Sequence, residues 1–220
     1  MKSLLSTKKL TLNQKELLLN SGLTFVEYNA ITIKFSPFNA PKRIENAIFT
    51  SKNAVKAVFS NKKKISEIKN CFCVGEKTKA LLEENSQNVV KTTQYGSELA
   101  DYLTKNHEND AFLFFCGNKR LDTIPEALKE AKITFSEIET YKTELNPVKF
   151  HRQFDGVLFF SPSAVQSFVS ENKLNNSIAF CIGNTTAAEA KKHTNNVVIS
   201  NSTSVESVIA KAVKTLKNYD

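Results

Sequence analysis

The chain has 220 residues, of which 41% are hydrophobic and 24% charged, with six Gly and five Pro. That composition suits an ordinary globular protein with room for two small domains, and it excludes a disordered or collagen-like chain. The formal net charge is +8, but the basic residues are scattered; the run Lys62, Lys63, Lys64 has no interleaved aromatics and reads as solvated surface, so nucleic-acid binding is not expected, whereas attraction of a small polyanion is.

Residues 1–10 mix apolar side chains with Lys2, Lys8 and Lys9 and read as a short strand, not a signal peptide. No stretch approaches the roughly 20 apolar residues of a membrane span. A strand is expected at 4–6, then a helix over 13–20, opened by Asn13 as cap with Glu16 three residues on and closed by Gly22. Residues 24–35 form the next strand or pair of strands. After Pro37 and Pro41 the pattern continues as strand 47–50, helix 53–59, strand 71–74, helix 76–84, strand 89–92 and helix 97–105. From Phe112 to Leu216 the same alternation repeats, the signature of parallel α/β layers.

Cys71, Cys73, Cys116 and Cys181 each lie within an apolar strand-type run and are expected as buried free thiols in a reducing cytoplasm. The Cys71-x-Cys73 spacing follows the strand period of two, and no second Cys pair or His cluster makes it a metal site. His107, His151 and His193 fall in polar stretches and are expected at the surface, away from any nucleophile they could activate. There is no phosphate-loop or GxGxxG pattern, which disfavours nucleotide enzymes.

The halves of the chain resemble each other. Phe49-Thr50-Ser51-Lys52-Asn53-Ala54-Val55 resembles Phe159-Phe160-Ser161-Pro162-Ser163-Ala164-Val165, 110 residues on. Thr24-Phe25-Val26-Glu27 matches Thr134-Phe135-Ser136-Glu137 at the same offset, and Cys73-Val74-Gly75-Glu76-Lys77-Thr78 matches Cys181-Ile182-Gly183-Asn184-Thr185-Thr186 at 108. This is a diverged tandem duplication. Pro37 and Pro147 occupy equivalent extended stretches that suit crossing linkers. Crossing would make one discontinuous lobe, 1–35 with 149–220, and one continuous lobe, 38–145; the residues alone leave a simple division near 110 open.

Six motifs occur in order: Phe49-Thr50-Ser51-x-Asn53-Ala54-Val55, Val74-Gly75-x-x-Thr78, Gly117-x-x-Arg120, Tyr141-x-Thr143, Phe160-Ser161-Pro162-Ser163 and Ile182-Gly183-x-Thr185-Thr186. Together they resemble the uroporphyrinogen-III synthase family over nearly the whole chain. The resemblance implies the crossed arrangement: two flavodoxin-like lobes with parallel sheets flanked by helices, joined by a two-stranded linker, with substrate in the cleft between them. It implies a hydro-lyase that closes hydroxymethylbilane to uroporphyrinogen III with loss of water and inversion of the terminal pyrrole, with no cofactor or metal. Tyr141 matches the family's implicated tyrosine, and as a phenol it can donate a proton to a departing hydroxyl.

The substrate's carboxylates suit the turns between strand ends and helix starts, where backbone N–H groups favour anions. Thr50, Ser51, Gly75, Thr78, Gly117, Ser161, Ser163, Gly183, Thr185 and Thr186 are the expected substrate-binding positions, with Arg120 and Lys8 as carboxylate partners. Each hydroxyl could instead simply cap its helix. Family members often carry arginine near the first strand where this chain has Lys8 and Lys9, which weakens bidentate recognition there. A monomer is expected, since no long amphipathic seam is left over. The competing reading is a non-catalytic two-lobed binding or sensor protein.

Overall fold

The computed structural model describes residues 1–60, 65 and 67–217, so the Lys62–Lys64 run lies outside the described residues. Along the chain come β1 (Ser3–Ser6), α1 (Leu12–Leu19), β2 (Thr24–Glu27), β3 (Ile31–Phe35), β4 (Arg43–Phe49), α2 (Lys52–Phe59), β5 (Glu67–Val74), α3 (Glu76–Glu84), β6 (Val89–Thr93) and α4 (Gly96–Asn106). They are followed by β7 (Ala111–Gly117), α5 (Thr123–Glu130), β8 (Thr134–Leu145), β9 (Gly156–Phe159), α6 (Pro162–Val169), β10 (Ile178–Cys181), α7 (Asn184–Ala190), β11 (Val197–Ile199) and α8 (Val205–Lys217).

One helix start differs from expectation. Thr11 caps α1: its hydroxyl accepts from Gln14 N at 3.4 Å while Gln14 Oε1 accepts from Thr11 N at 3.1 Å. This reciprocal capping box satisfies two donors at once, so Asn13 falls inside the helix. Residues 24–35 resolve into two strands, β2 and β3.

Contacts divide the chain into two compact units. Unit 1 comprises Met1–Thr32 and the chain from Glu144 onward; unit 2 comprises Ile33–Thr143. The crossings fall inside β3 and β8, a few residues before Pro37 and Pro147.

In unit 1 the sheet order is β11-β10-β9-β1-β2, parallel throughout. Alternate strand residues face opposite ways. Leu5, Val157 and Phe159 join α6 and α7 side chains such as Val165, Phe168 and Ala187 in one core. Leu4, Leu158 and Phe180 meet Leu18 of α1 and Val208, Ile209 and Ala212 of α8 in the other.

Unit 2 has the order β3-β8-β7-β4-β5-β6, with β8 through β6 parallel. Phe49, Cys71, Cys73 and Phe115 pack with α2 and α3. Ile48, Phe72, Phe112 and Phe114 pack with Leu99 and Leu103 of α4 and Ile124 and Leu128 of α5. Both units are therefore α/β sheets flanked by helices on both faces. Unit 1 takes β1 and β2 from the first copy of the repeat and β9 to β11 from the second; unit 2 takes β7 and β8 from the second copy and β4 to β6 from the first, with β3 added at the edge. Numbered by place in the repeat and leaving β3 aside, both follow the flavodoxin-like order 2-1-3-4-5.

All four cysteines are buried and free. Burial pushes the Cys71 thiol up to about 12, with Cys73 adding to the shift, and pushes Cys181 to about 12. As protonated thiols they serve as small apolar side chains.

Unit 2 has its own hydrophobic cores and all its strands. We expect segment 33–143 expressed alone to show a single sigmoidal thermal melt by circular dichroism. Segment 1–110 lacks β7 to β11 and should melt without cooperativity; a cooperative melt of 1–110 would show that the folding units follow the repeat boundary.

Candidate functional site

In a 2-1-3-4-5 sheet, connections leave strands 1 and 3 in opposite directions, so a crevice opens beyond their carboxyl ends. In unit 2 those strands are β7 and β4. A cavity of about 410 Å³ lies there, lined by Thr50 and Ser51 after β4, by Gly117 at the end of β7, and by Lys119, Arg120 and Leu121 after it. Tyr95, Gly96 and Ser97 at the start of α4 contribute a further wall, Val74, Phe114 and Ile124 an apolar surface, and Tyr141 a phenol.

Tyr141 reaches the cavity because β8 is irregular. Cys116 pairs with Glu139 but Gly117 pairs with Tyr141, so one extra residue is inserted. A regular strand would place 138 and 140 on one face; here Ile138 and Tyr141 pack on the same core. The bulge is pinned on both sides: Thr140 Oγ1 donates to Cys116 O at 3.2 Å, and Thr143 N donates to Asn118 Oδ1 at 2.8 Å.

The ring lies directly against Gly117. A Cβ at that position would come within 2.5 Å of Tyr141 Cε2, which explains why only glycine fits beneath the phenol. Burial pushes the Tyr141 phenol above its ordinary value, opposed by a hydrogen bond with the Ser51 hydroxyl. The phenol is held neutral at physiological pH and remains available as a donor.

Ser51 also accepts from Asn53 N at 3.1 Å, capping α2. Its capping and cavity roles coexist. Gly75 caps α3 at φ +86, a backbone region that L side chains rarely adopt, and donates to Thr93 O at 2.8 Å. Thr78 is buried within α3 and does not reach the cavity. Its hydroxyl sits on the core side of the first helical turn, which a strand-end motif cannot distinguish.

Arg120 forks onto Glu137, with Nη2 donating to Oε2 at 2.8 Å and Nε pairing with Oε1, while Nη1 pairs with Asp122. These hydrogen bonds raise its pKa still further and fix the guanidinium.

The remaining expected positions belong to unit 1. Ser161 caps α6, accepting from Ala164 N at 3.1 Å, and Ser163 is half-buried. Gly183 precedes α7 in extended backbone; Thr185 is exposed, but Thr186 is buried in the helix's first turn. Lys8 is exposed beyond β1. Thr7, the repeat counterpart of Gly117, is buried and bonds Leu158 O through both N (3.1 Å) and Oγ1 (2.7 Å), tying β1 to β9 where unit 2 has a glycine.

His151 and His193 are exposed, but His107 is not. Its side chain is 19% exposed, lies edge-on to Phe72 and Phe112, and places Nδ1 2.6 Å from Asp110 Oδ2. The ring's apolar faces pack well despite the polar local sequence. Among the described residues no group of three or more His, Cys, Asp or Glu could hold a metal ion.

The sequence reading missed Tyr95, Ser97, Lys119, Leu121 and Ile124. Tyr95 and Leu121 are 52% and 68% exposed, unusual for large apolar side chains, but exposure is not visible in sequence. Glu98 was a usable signal: it accepts from Gln94 N at 2.9 Å and Tyr95 N at 3.2 Å, fixing the turn that presents Tyr95.

The family model described as uroporphyrinogen-III synthase HemD matches residues 14–210. The chain belongs to the uroporphyrinogen-III synthase family. A porphyrin biosynthesis protein HemD from Ruminiclostridium josui is 30% identical over 118 residues, covering 49% of this chain and 23% of that protein. The chain thus spans less than a quarter of that relative's length. Two solved structures share the fold. Uroporphyrinogen-III synthetase from Helicobacter pylori has a TM-score of 0.69 at 18% identity, covering 98% of this chain and 100% of that one. A mutant uroporphyrinogen III synthase from Thermus thermophilus has a TM-score of 0.69 at 12% identity, covering 99% and 100%.

Within this member of the uroporphyrinogen-III synthase family, Gly117→Ala should force the Tyr141 ring away from Ser51. Overpacking of this kind costs about 1–3 kcal/mol, read as a lower urea midpoint with unchanged slope. A midpoint equal to wild type would mean that the ring moves freely.

Proposed function

We propose that this chain catalyses the family reaction, converting hydroxymethylbilane to uroporphyrinogen III with loss of water, as a cytoplasmic monomer. Among the described residues no helix is long and apolar enough to cross a membrane. The observation that carries the reading is the neutral, half-buried Tyr141 phenol seated on Gly117 and sharing the cavity with Ser51, at the crevice where this fold class binds ligands.

The chemistry follows from that placement. The substrate must lose a terminal hydroxyl, and a phenol O–H beside it can supply the proton that lets it depart as water. The cation left behind is attacked by the terminal pyrrole at its substituted carbon, giving a spiro intermediate that opens and recloses with that ring inverted. Restoring pyrrole aromaticity releases one proton, which returns the phenolate to its starting state. Thr50, Ser51, Ser97 and backbone N–H groups of the turns offer donors for carboxylates, and Phe114, Val74 and Ile124 an apolar seat for pyrrole rings. Ser161, Ser163, Gly183 and Thr185 offer equivalent donors in unit 1.

Unassisted closure joins the nearest ends and yields the uninverted isomer, so the catalytic demand is orientational. With purified protein, chromatography of the oxidised products should show the inverted isomer dominating and substrate loss faster than in buffer. A product ratio at its spontaneous value, with no acceleration, would replace this reading by that of a binding protein.

Tyr141→Phe keeps the ring over Gly117 but removes the donor. We expect kcat to fall about 10- to 1,000-fold. Because burial raises the phenol, its donor form persists above pH 10, the ordinary tyrosine value, and declines as pH rises through the shifted value. The wild-type rate should therefore show no tyrosine-dependent alkaline decline below about pH 10, and one beyond it that the Phe variant lacks. Unchanged turnover in the variant would assign Tyr141 to packing.

A further inference from the structure

The cavity has two adjacent cations, Lys119 and Arg120, on the turn between β7 and α5. They are not equivalent. Arg120 spends its guanidinium on the protein, with Nε and Nη2 on Glu137 and Nη1 on Asp122. Lys119 is exposed at the cavity rim and has no ion-pair partner among the described residues.

The internal repeat explains the difference. Glu27 is the counterpart of Glu137, and the residue matching Arg120 is Leu10, which is buried. Glu27 Oε2 accepts from Leu10 N at 2.9 Å, and Lys15 Nζ lies 2.6 Å from Glu27 Oε1. In both units, then, a glutamate at the equivalent place in the second sheet strand grips the turn after the first. Unit 1 uses a backbone N–H for this and unit 2 uses the Arg120 side chain. The grip recurs while the gripped group changes, which identifies it as a brace. The position matching Lys119 is Lys9, also exposed, so a cation recurs at the tip of the braced turn.

Electrostatics point the same way. A substrate carboxylate approaching Arg120 would meet Glu137 and Asp122 and would have to displace one from a charge-assisted bond. At Lys119 it would meet an ammonium with three unspent donors.

We infer that Lys119 is the cation that receives a substrate carboxylate at this cavity, and that Arg120 is a positioning residue that braces the turn carrying it. The inference rests on the function proposed above and assigns one of its specificity-determining contacts.

The test uses the full chain with hydroxymethylbilane as substrate. Lys119→Gln should raise KM about 5- to 20-fold with kcat nearly unchanged, and the gap from wild type should narrow in high salt because exposed charge pairs are screened. Lys119→Arg should restore KM. Arg120→Gln should lower the thermal midpoint, as should Glu137→Gln. Arg120→Lys keeps the charge but loses the fork, and it should also lose stability, with a KM change that salt does not narrow. Wild-type KM in Lys119→Gln would overturn the inference while leaving the function intact, as would a salt-sensitive KM rise in a fully stable Arg120→Gln. An inactive wild-type protein would instead overturn the function proposed above, and this inference with it.

Discussion

The placement of β7 between β8 and β4 governs unit 2. Parallel strands need helical crossovers, and a strand whose neighbours are reached in opposite directions leaves its carboxyl end uncovered. Everything at the cavity depends on that gap. Thr50 and Ser51 arrive from one side, the Lys119–Arg120 turn from β7 itself, and Tyr141 from the other side. The bulge opposite Gly117 completes the arrangement, since without its one-residue shift Thr140 would take the place of Tyr141 on that face.

The two units solve the same geometry with different chemistry. Where unit 2 carries Gly117 and a phenol, unit 1 carries Thr7, whose side chain and backbone both bond Leu158 O. Duplication supplied one scaffold twice. Divergence at single positions then made one sheet end suited to a half-buried aromatic donor and drew the other together by hydrogen bonds between neighbouring strands.

Much of the fold was legible because its strands obey simple patterning. Alternation of large apolar side chains such as Leu4, Leu158 and Phe180 with residues facing the opposite core marks strands buried on both faces. Ser51 and Ser161 could be read as helix caps and are caps. The start of α1 was misplaced because Thr11-Gln14 and Asn13-Glu16 share the same spacing, and only the observed bonds separate them. Thr78 and Thr186 sat in convincing motifs yet face inward, since helical phase within the first turn decides orientation. Lys119 and Leu121 carried no local signal, and for Tyr95 only Glu98 marked the turn; tertiary proximity brings all three to the cavity.

The exchange of strands between the two copies sets a schedule for synthesis. Leu4 pairs with Gly156 and Ser6 with Leu158, so β1 cannot acquire its second neighbour until about 150 further residues have been made. At roughly 5–20 residues per second that wait is on the order of 10 to 30 s. Throughout it, Leu4 and Leu5 sit on a two-stranded fragment with an open parallel edge, the kind of surface that invites wrong partners. Unit 2 has all its residues once Thr143 has emerged, so its sheet can close while β1 and β2 still wait for β9.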